Sequence, residues 1–325
     1  MKVLVTGGAG YVGSHAVREL ASAGHDVVIY DSLVTGHIEL AKGFPLIVGD
    51  IENTEKMGRA LEGVDAVMHF AASAYVGESM ENPRKYFHNN VESPLRMLDA
   101  VLASDVQMLI FSSTCATYGV PASLPITESF PKQPINPYGE TKLFMERILS
   151  AYAYAHGLRY VALRYFNAAG AHPDGNIGEW HDPETHLIPL ALRAVLEQAP
   201  PLKVFGADLP TPDGTCIRDF IHVCDLGSAH VQALRYLAEG GASIALNLAT
   251  GKGTSIAELI RVVRSVTGKD IPHEFVASRP GDPPALYADP SLAKKVLGWE
   301  PKFGLEEILQ TAWKWEIDGL PRLRA

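Results

Sequence analysis

Short apolar runs, each closed by a turn signal and followed by a longer segment with helical spacing, recur along the first half of the chain. KVLVT (2–6), DVVIYD ending at Asp31, PLIVGD (45–50), DAVMHFA (65–71) and QMLIFSS (107–113) are β-branched and continuous rather than alternating. That is the pattern of strands covered on both faces. Between them SHAVRELASAG, closing at Gly24, NTEKMGRALEG and a long stretch from Pro83 to Ala103 read as helices, the last kinked or split by Pro94. Strands alternating with helices predict an α/β fold with a doubly wound parallel sheet.

RYVALRYFN (159–167) reads as one further strand, after which the rhythm changes. AAGAHPDGNIGEWHDPETH carries turn residues and few large apolar ones, so the domain change is placed there. Residues 1–170 form the first domain and 171–325 a smaller C-terminal α/β domain, with segments around 214–249 expected to return to the first. Later helices are LIPLALRAVLEQA, DLGSAHVQALRYLAEG, SIAELIRVVRSVTG, SLAKKVLGW and GLEEILQTAWKWEIDG; later strands are LKVFG, IALNLAT and HEFVAS.

Composition narrows the partners. The 325 residues are 47% hydrophobic and 20% charged, which suits one large or two intimate domains. A formal charge of -9 without a basic run disfavours nucleic acid and anionic membranes, so any phosphate must be met by a few placed arginines. Cys115, Cys216 and Cys224, an odd count with no CxxC pair, suggest neither a disulfide framework nor a cysteine zinc site and fit a reducing cytoplasm. MKVLVTG leads directly into a glycine turn and no run reaches membrane-span length, so a soluble protein without a signal segment is expected. His172, His181 and His186 share one loop without helical i,i+4 spacing or paired cysteines. They are read as loop or ligand-contacting residues, and no metal is expected.

The candidate chemistry begins at GGAGYVG, where Gly7, Gly10 and Gly13 join the first strand to a helix. Such a turn admits a pyrophosphate to the backbone and offers it a helix N-terminus. Asp31 ends the next strand, about 20 residues on, where a carboxylate grips an adenosine ribose and favours NAD over NADP. In such sheets ligands lie beyond the carboxyl ends of the strands, which places Gly7, Asp31, Asp50, Ala71 and Ser112 together. Tyr138 and Lys142 of YGETK stand four apart, on one face if a helix runs from there. An adjacent ammonium favours a phenolate, so Lys142 is expected to lower the Tyr138 pKa from about 10. Thr114, delivered by its strand to the same edge, would hydrogen-bond a substrate hydroxyl while Tyr138 moves its proton.

With TGGAGYVGSH, SSTCATYG, YGETK, RYFNAAGAHPDG, IRDFIHV and RPGDPPALYAD in this order, the chain closely resembles the extended short-chain dehydrogenase/reductase family over essentially its whole length. Within it the resemblance is to the branch that epimerises UDP-hexoses. It implies a doubly wound parallel Rossmann sheet and a tightly held NAD that takes a hydride from sugar C4 and returns it to the opposite face, interconverting UDP-galactose and UDP-glucose. Tyr138 is then the acid/base, Lys142 holds the nicotinamide ribose, and Thr114 fills a position where many relatives have serine. The implied NAD contacts are Tyr11, Val12, Asp31, the loop Ser32, Leu33, Val34, Thr35 and Gly36, then Asp50, Ile51, Phe70, Ala71, Ala72, Ala74, Asn89 and Phe166. Some relatives carry lysine where this chain has Ala74. The implied UDP-sugar contacts are Asn167, Leu187, Val204, Phe205, Arg218, Arg279 and Asp282, the two arginines pairing with the diphosphate. Leu286 falls where relatives place either tyrosine or a small residue, a position tied to N-acetylated sugars. UDP-GlcNAc/GalNAc and UDP-pentoses stay open as alternatives, as does a dehydratase or reductase of the same family. A homodimer through the helices Pro83 to Ala103 and Tyr138 to His156 is likewise implied.

Overall fold

The computed structural model describes residues 1–278 and 283–324; Arg279 and Asp282 lie outside the described residues. Strand β1 (Lys2–Thr6) pairs in parallel with both β2 (Asp26–Asp31) and β4 (Ala66–His69). From there the sheet extends one way to β3 (Leu46–Val48) and the other way through β5 (Met108–Thr114) and β6 (Arg159–Tyr165) to the strand Ile244–Leu248. All seven strands are parallel. The order reverses beside β1, which opens a crevice at the carboxyl ends of β1 and β4.

The two-residue period of a strand explains why the apolar runs are unbroken. Val3 and Val5 face a core shared with Val17 and Leu20 of helix Tyr11–Ser22 and Leu226 and Leu234 of helix Val223–Ala238. Leu4 faces the opposite core, with Met57, Met97, Leu98, Met145 and Leu149. Each strand therefore needs apolar residues on both sides.

A smaller layer follows the sheet. Leu202–Phe205 pairs in parallel with His273–Val276, and helices Leu187–Val195, Ile256–Thr267 and Leu305–Lys314 bury Ile188, Leu192, Leu259, Val263, Ile308 and Leu309 together. Two further small pairings, Asn167–Ala169 with Phe220–His222 and Ile217–Arg218 with both Thr254–Ser255 and Ala285–Leu286, link this layer to the sheet edge.

Three expected elements are broken. The helix from Pro83 to Ala103 is Pro83–Phe87, a π-helical turn His88–Glu92 and Ser93–Leu102. Pro94 has no N–H for the Asn90 carbonyl four residues back, and the widened turn falls there. RYVALRYFN divides at Phe166, where the chain leaves β6 and Asn167 N donates to the Asp219 carbonyl at 3.0 Å. The final helix passes at Trp315–Gly319 through a second π-helical turn before Leu320–Arg324. Among the described residues, no helix is long and apolar enough to cross a membrane.

Candidate active site

The glycine turn lies against the strand-end loop of β4. Gly7 has φ +73°, and a Cβ there would sit 2.5 Å from the Ala71 nitrogen; one on Gly13 would overlap the Gly7 carbonyl oxygen. Gly10 caps helix Tyr11–Ser22, whose first turn has no acidic residue, so the N–H groups of Tyr11, Val12 and Gly13 and the positive end of the helix dipole remain open to an anion. The Tyr11 side chain is buried and turned away, its hydroxyl donating to the Gly170 carbonyl at 2.6 Å. Burial and the Glu179 carboxylate raise its pKa. A side-chain-free cradle at a helix N-terminus fits a dinucleotide pyrophosphate.

Asp31 locks this cradle to the next loop, accepting from Ala9 N and Leu33 N, each at 2.9 Å. Both oxygens keep a lone pair for ribose hydroxyls. Leu33 itself takes the left-handed φ of 58°, while Ser32, Val34 and Thr35 are exposed and Gly36 packs on the Asp31 carboxylate. Asp50 is exposed and accepts from Glu52 N at 2.9 Å, with Ile51 buried beside it. Phe70, Ala71 and Ala72 are half-buried; Ala74 is exposed. The loop they begin is held by Asn90, which accepts from Ser73 N and donates to Ser73 O and Thr141 Oγ1. Sequence reasoning passed over Asn90. Its neighbour Asn89 is exposed and donates to Ser73 Oγ at 2.9 Å.

The acid/base group forms where β5 meets helix Pro137–His156. Asn136 caps that helix by accepting from Gly139 N at 2.8 Å, and Pro137 occupies its first turn. Tyr138 and Lys142 therefore share a face that looks onto the end of β5. Thr114 ends the strand, and its hydroxyl lies near enough to the Tyr138 phenol to favour the ionised form. Lys142 is 3% exposed, donates to the Ser112 carbonyl at 2.8 Å, and lies over the rings of Phe111 (4.9 Å) and Tyr138 (6.0 Å). Desolvation brings its pKa down to about 7. Burial, then Tyr165, push the Tyr138 phenol well above its ordinary value, and the nearby Thr114 hydroxyl only partly offsets them. The expected lowering of the Tyr138 pKa is thus not supplied by these side chains.

Phe166 is buried against Tyr118, Ile126 and Ala288, with Leu286 and Cys115 packed on the same cluster. Asn167 donates its side-chain amide to the Asp219 carbonyl at 2.9 Å. Arg218 donates to the Ile217 and Pro283 carbonyls at 2.8 and 2.9 Å, and Leu286 is its partner across the strand pair. Its charge reaches the thiol of Cys115, next to Thr114, so these residues border the acid/base group. Leu187, Val204, Cys216 and Ile256 share an apolar cluster, and Phe205 is half-buried at the end of its strand.

The three loop histidines each meet a carboxylate. His172 contacts Asp174 at 3.5 Å, whereas His181 and His186 both turn onto Glu179. The loop folds back and brings Glu179, His181, Glu184 and His186 together.

Residues 3–249 match the model of the NAD dependent epimerase/dehydratase family. The UDP-glucose 4-epimerase of Rhizobium meliloti is 49% identical over 315 residues, 96% of either chain. The crystal structure of UDP-glucose 4-epimerase from Brucella ovis in complex with NAD is 52% identical with a TM-score of 0.95, covering 96% of this chain and 97% of that one. The enzyme from Bifidobacterium longum in complex with NAD+ and UDP is 35% identical with a TM-score of 0.91, covering 97% and 98%. The chain belongs to the NAD dependent epimerase/dehydratase family.

Proposed function

We propose that this protein interconverts UDP-galactose and UDP-glucose by transient NAD-dependent oxidation at sugar C4. The observation that carries the reading is the convergence of Thr114, Tyr138 and Lys142 at the carboxyl end of β5, beside the crevice of the glycine turn. When bound, NAD⁺ supplies the acceptor for the C4 hydride and a positive ring charge that favours the phenolate. Thr114 orients the C4 hydroxyl, and Tyr138 accepts its proton as the hydride leaves. Lys142 donates one hydrogen to Ser112 O, and its remaining donors would hold the nicotinamide ribose. Return of the hydride to the other face needs the 4-keto sugar to turn over while its diphosphate stays held, a task assigned to Arg218 and Arg279. Tyr138 then gives its proton back.

Proton NMR of the protein with UDP-galactose is the test. UDP-glucose appearing without net NADH is expected; a 4-keto-6-deoxy sugar, or no turnover with NAD added, overturns the reading. Tyr138→Phe should keep its NAD and lose at least ~100-fold in rate. A near-normal rate would remove Tyr138 from its role.

Residues 1–170, with 214–249, are assigned to the cofactor and the remainder of 171–325 to the sugar nucleotide. A homodimer in the cytoplasm completes the reading. Phe87 and Phe144, exposed at 39% and 41% with rings 6.0 Å apart, lie on the two helices assigned to its interface. A monomeric mass in solution scattering would exclude it.

A further inference from the structure

We propose that Glu179, His181, Glu184 and His186 form a binding site for one divalent metal ion of the zinc class, separate from the acid/base group. One ligand atom from each residue lies within 4.8 Å of every other. Ligands about 2.0–2.2 Å from a tetrahedral ion stand about 3.4 Å apart, so small side-chain rotations close the shell. The donor set is two imidazoles and two carboxylates. Imidazole nitrogen disfavours magnesium and calcium, and a divalent ion cancels both carboxylate charges.

The position is enclosed. The Glu179 and Glu184 side chains are 5% and 2% exposed, and that of His181 is 19% exposed. The buried Glu184 Oε2 and His181 Nδ1 have no hydrogen-bond partner among the described residues, although Arg193 approaches Glu184 to 3.5 Å. Protonated histidines balancing the two carboxylates would also be neutral. The carboxylates favour that charged form, yet the His181 nitrogen stands 3.2 Å from Glu179 and 3.7 Å from Glu184 without a well-formed hydrogen bond to either. An ion between them satisfies all three.

The surroundings hold the ligands in place, as metal sites require. Trp315 Nε1 donates to the Glu179 carbonyl at 2.7 Å, and Tyr75 sets its ring edge-on to His181 and His186 at 5.9 and 6.3 Å. Trp180 stacks on His37 at 3.8 Å. An ion here would staple the 171–186 loop between the nucleotide-binding turns and helix Leu187–Val195.

The test uses the NAD-bound protein, freed of metal by dialysis, offered zinc sulfate and gel-filtered before elemental analysis and X-ray absorption. One zinc per chain is expected, with four nitrogen or oxygen neighbours at about 2.0–2.1 Å and imidazole scattering beyond. Failure to retain zinc, or a sulfur neighbour from a cysteine, overturns the proposal. His181→Gln/His186→Gln should bind zinc at least ~10-fold more weakly, and wild-type retention in that variant also overturns it. If the double variant does not fold, the wild-type absorption spectrum decides. No readout depends on turnover.

Discussion

Two buried cations lie where helix Pro137–His156 packs on the sheet, Lys142 from the helix and Arg164 from β6, and the protein treats them oppositely. Arg164, on β6, sends Nε to Glu146 Oε1 at 2.8 Å, pairs its Nη2 with Glu146 Oε2, and gives Nη1 to the Tyr118 hydroxyl. Ser113 completes the carboxylate's partners. Burial acts against the guanidinium's charge, but Glu146 outweighs it and the Arg164 pKa rises. One helical turn away Lys142 has a carbonyl and two aromatic faces, and its pKa falls to about 7. Tyr138, Lys142 and Glu146 are spaced i, i+4, i+8, so Glu146 is the carboxylate that Lys142 would otherwise find. Arg164 pre-empts it. A structural cation is given a permanent partner, whereas a working cation is left free to respond to what binds.

The largest effect should come from removing the working cation. Lys142→Met is expected to lose at least ~100-fold in kcat and to release NAD more readily, measured by steady-state turnover and by NAD retained on gel filtration. Its stability should move the other way. The folded Lys142 pKa lies below the ordinary value of 10.5, so between about 7 and 10.5 the unfolded chain binds more protons and stability rises with pH. The cost of burying the lysine is fully present below 7 and relieved above 10.5. Calorimetry should therefore show Lys142→Met more stable than wild type near pH 7, by on the order of 4 kcal/mol at most, and no better at the alkaline end. An equal gain at both ends would sink the idea of an unpaired lysine. Next is the structural pair. Glu146→Gln strands the Arg164 charge and should cost about 3–5 kcal/mol in denaturant unfolding.

How much of this contrast was legible in the sequence depends on the range of the interaction. The parallel doubly wound sheet followed from alternating strand and helix patterns, though its strand order did not, and Gly7, Gly10, Gly13 and Asp31 marked their turn because their constraints are local. Tyr138 and Lys142 were readable as a spaced pair on one helix. What they do to each other's proton affinity was not, because burial outweighs the charge between them. Glu146 and Arg164 carry no spacing signal at all; they meet through the packing of a helix on β6. Asn90 and the fold-back of the 171–186 loop were hidden for the same reason. Pro94 did signal a broken helix, but the π-helical form of the break was not written in a one-residue rule.

Arg164→Met sharpens the comparison further, because it frees Glu146 to turn to Lys142. A nearby carboxylate favours the charged lysine, so the folded Lys142 pKa should rise and the rise of stability with pH should become shallower. With one replacement pair formed, the loss at pH 7 should be nearer ~2 kcal/mol than that of Glu146→Gln. A loss equal to that of Glu146→Gln, with an unchanged pH slope, would mean that Glu146 does not re-pair.

The smallest effect belongs to a third kind of pair. Arg59 and Glu55 meet at 3.2 Å on an outer helix, with side chains 68% and 84% exposed. Its contact distance resembles that of the buried pair, so a view in which distance alone sets the worth of an ion pair predicts similar losses. In water the attraction is screened and the ordering of two long side chains offsets much of it, and Arg59→Ala should change stability by no more than ~0.5 kcal/mol. Denaturant unfolding in low and high salt checks this. A loss approaching that of Glu146→Gln would show that burial is not what separates the two regions, and the account of Lys142 as a cation kept deliberately without a carboxylate would lose its basis.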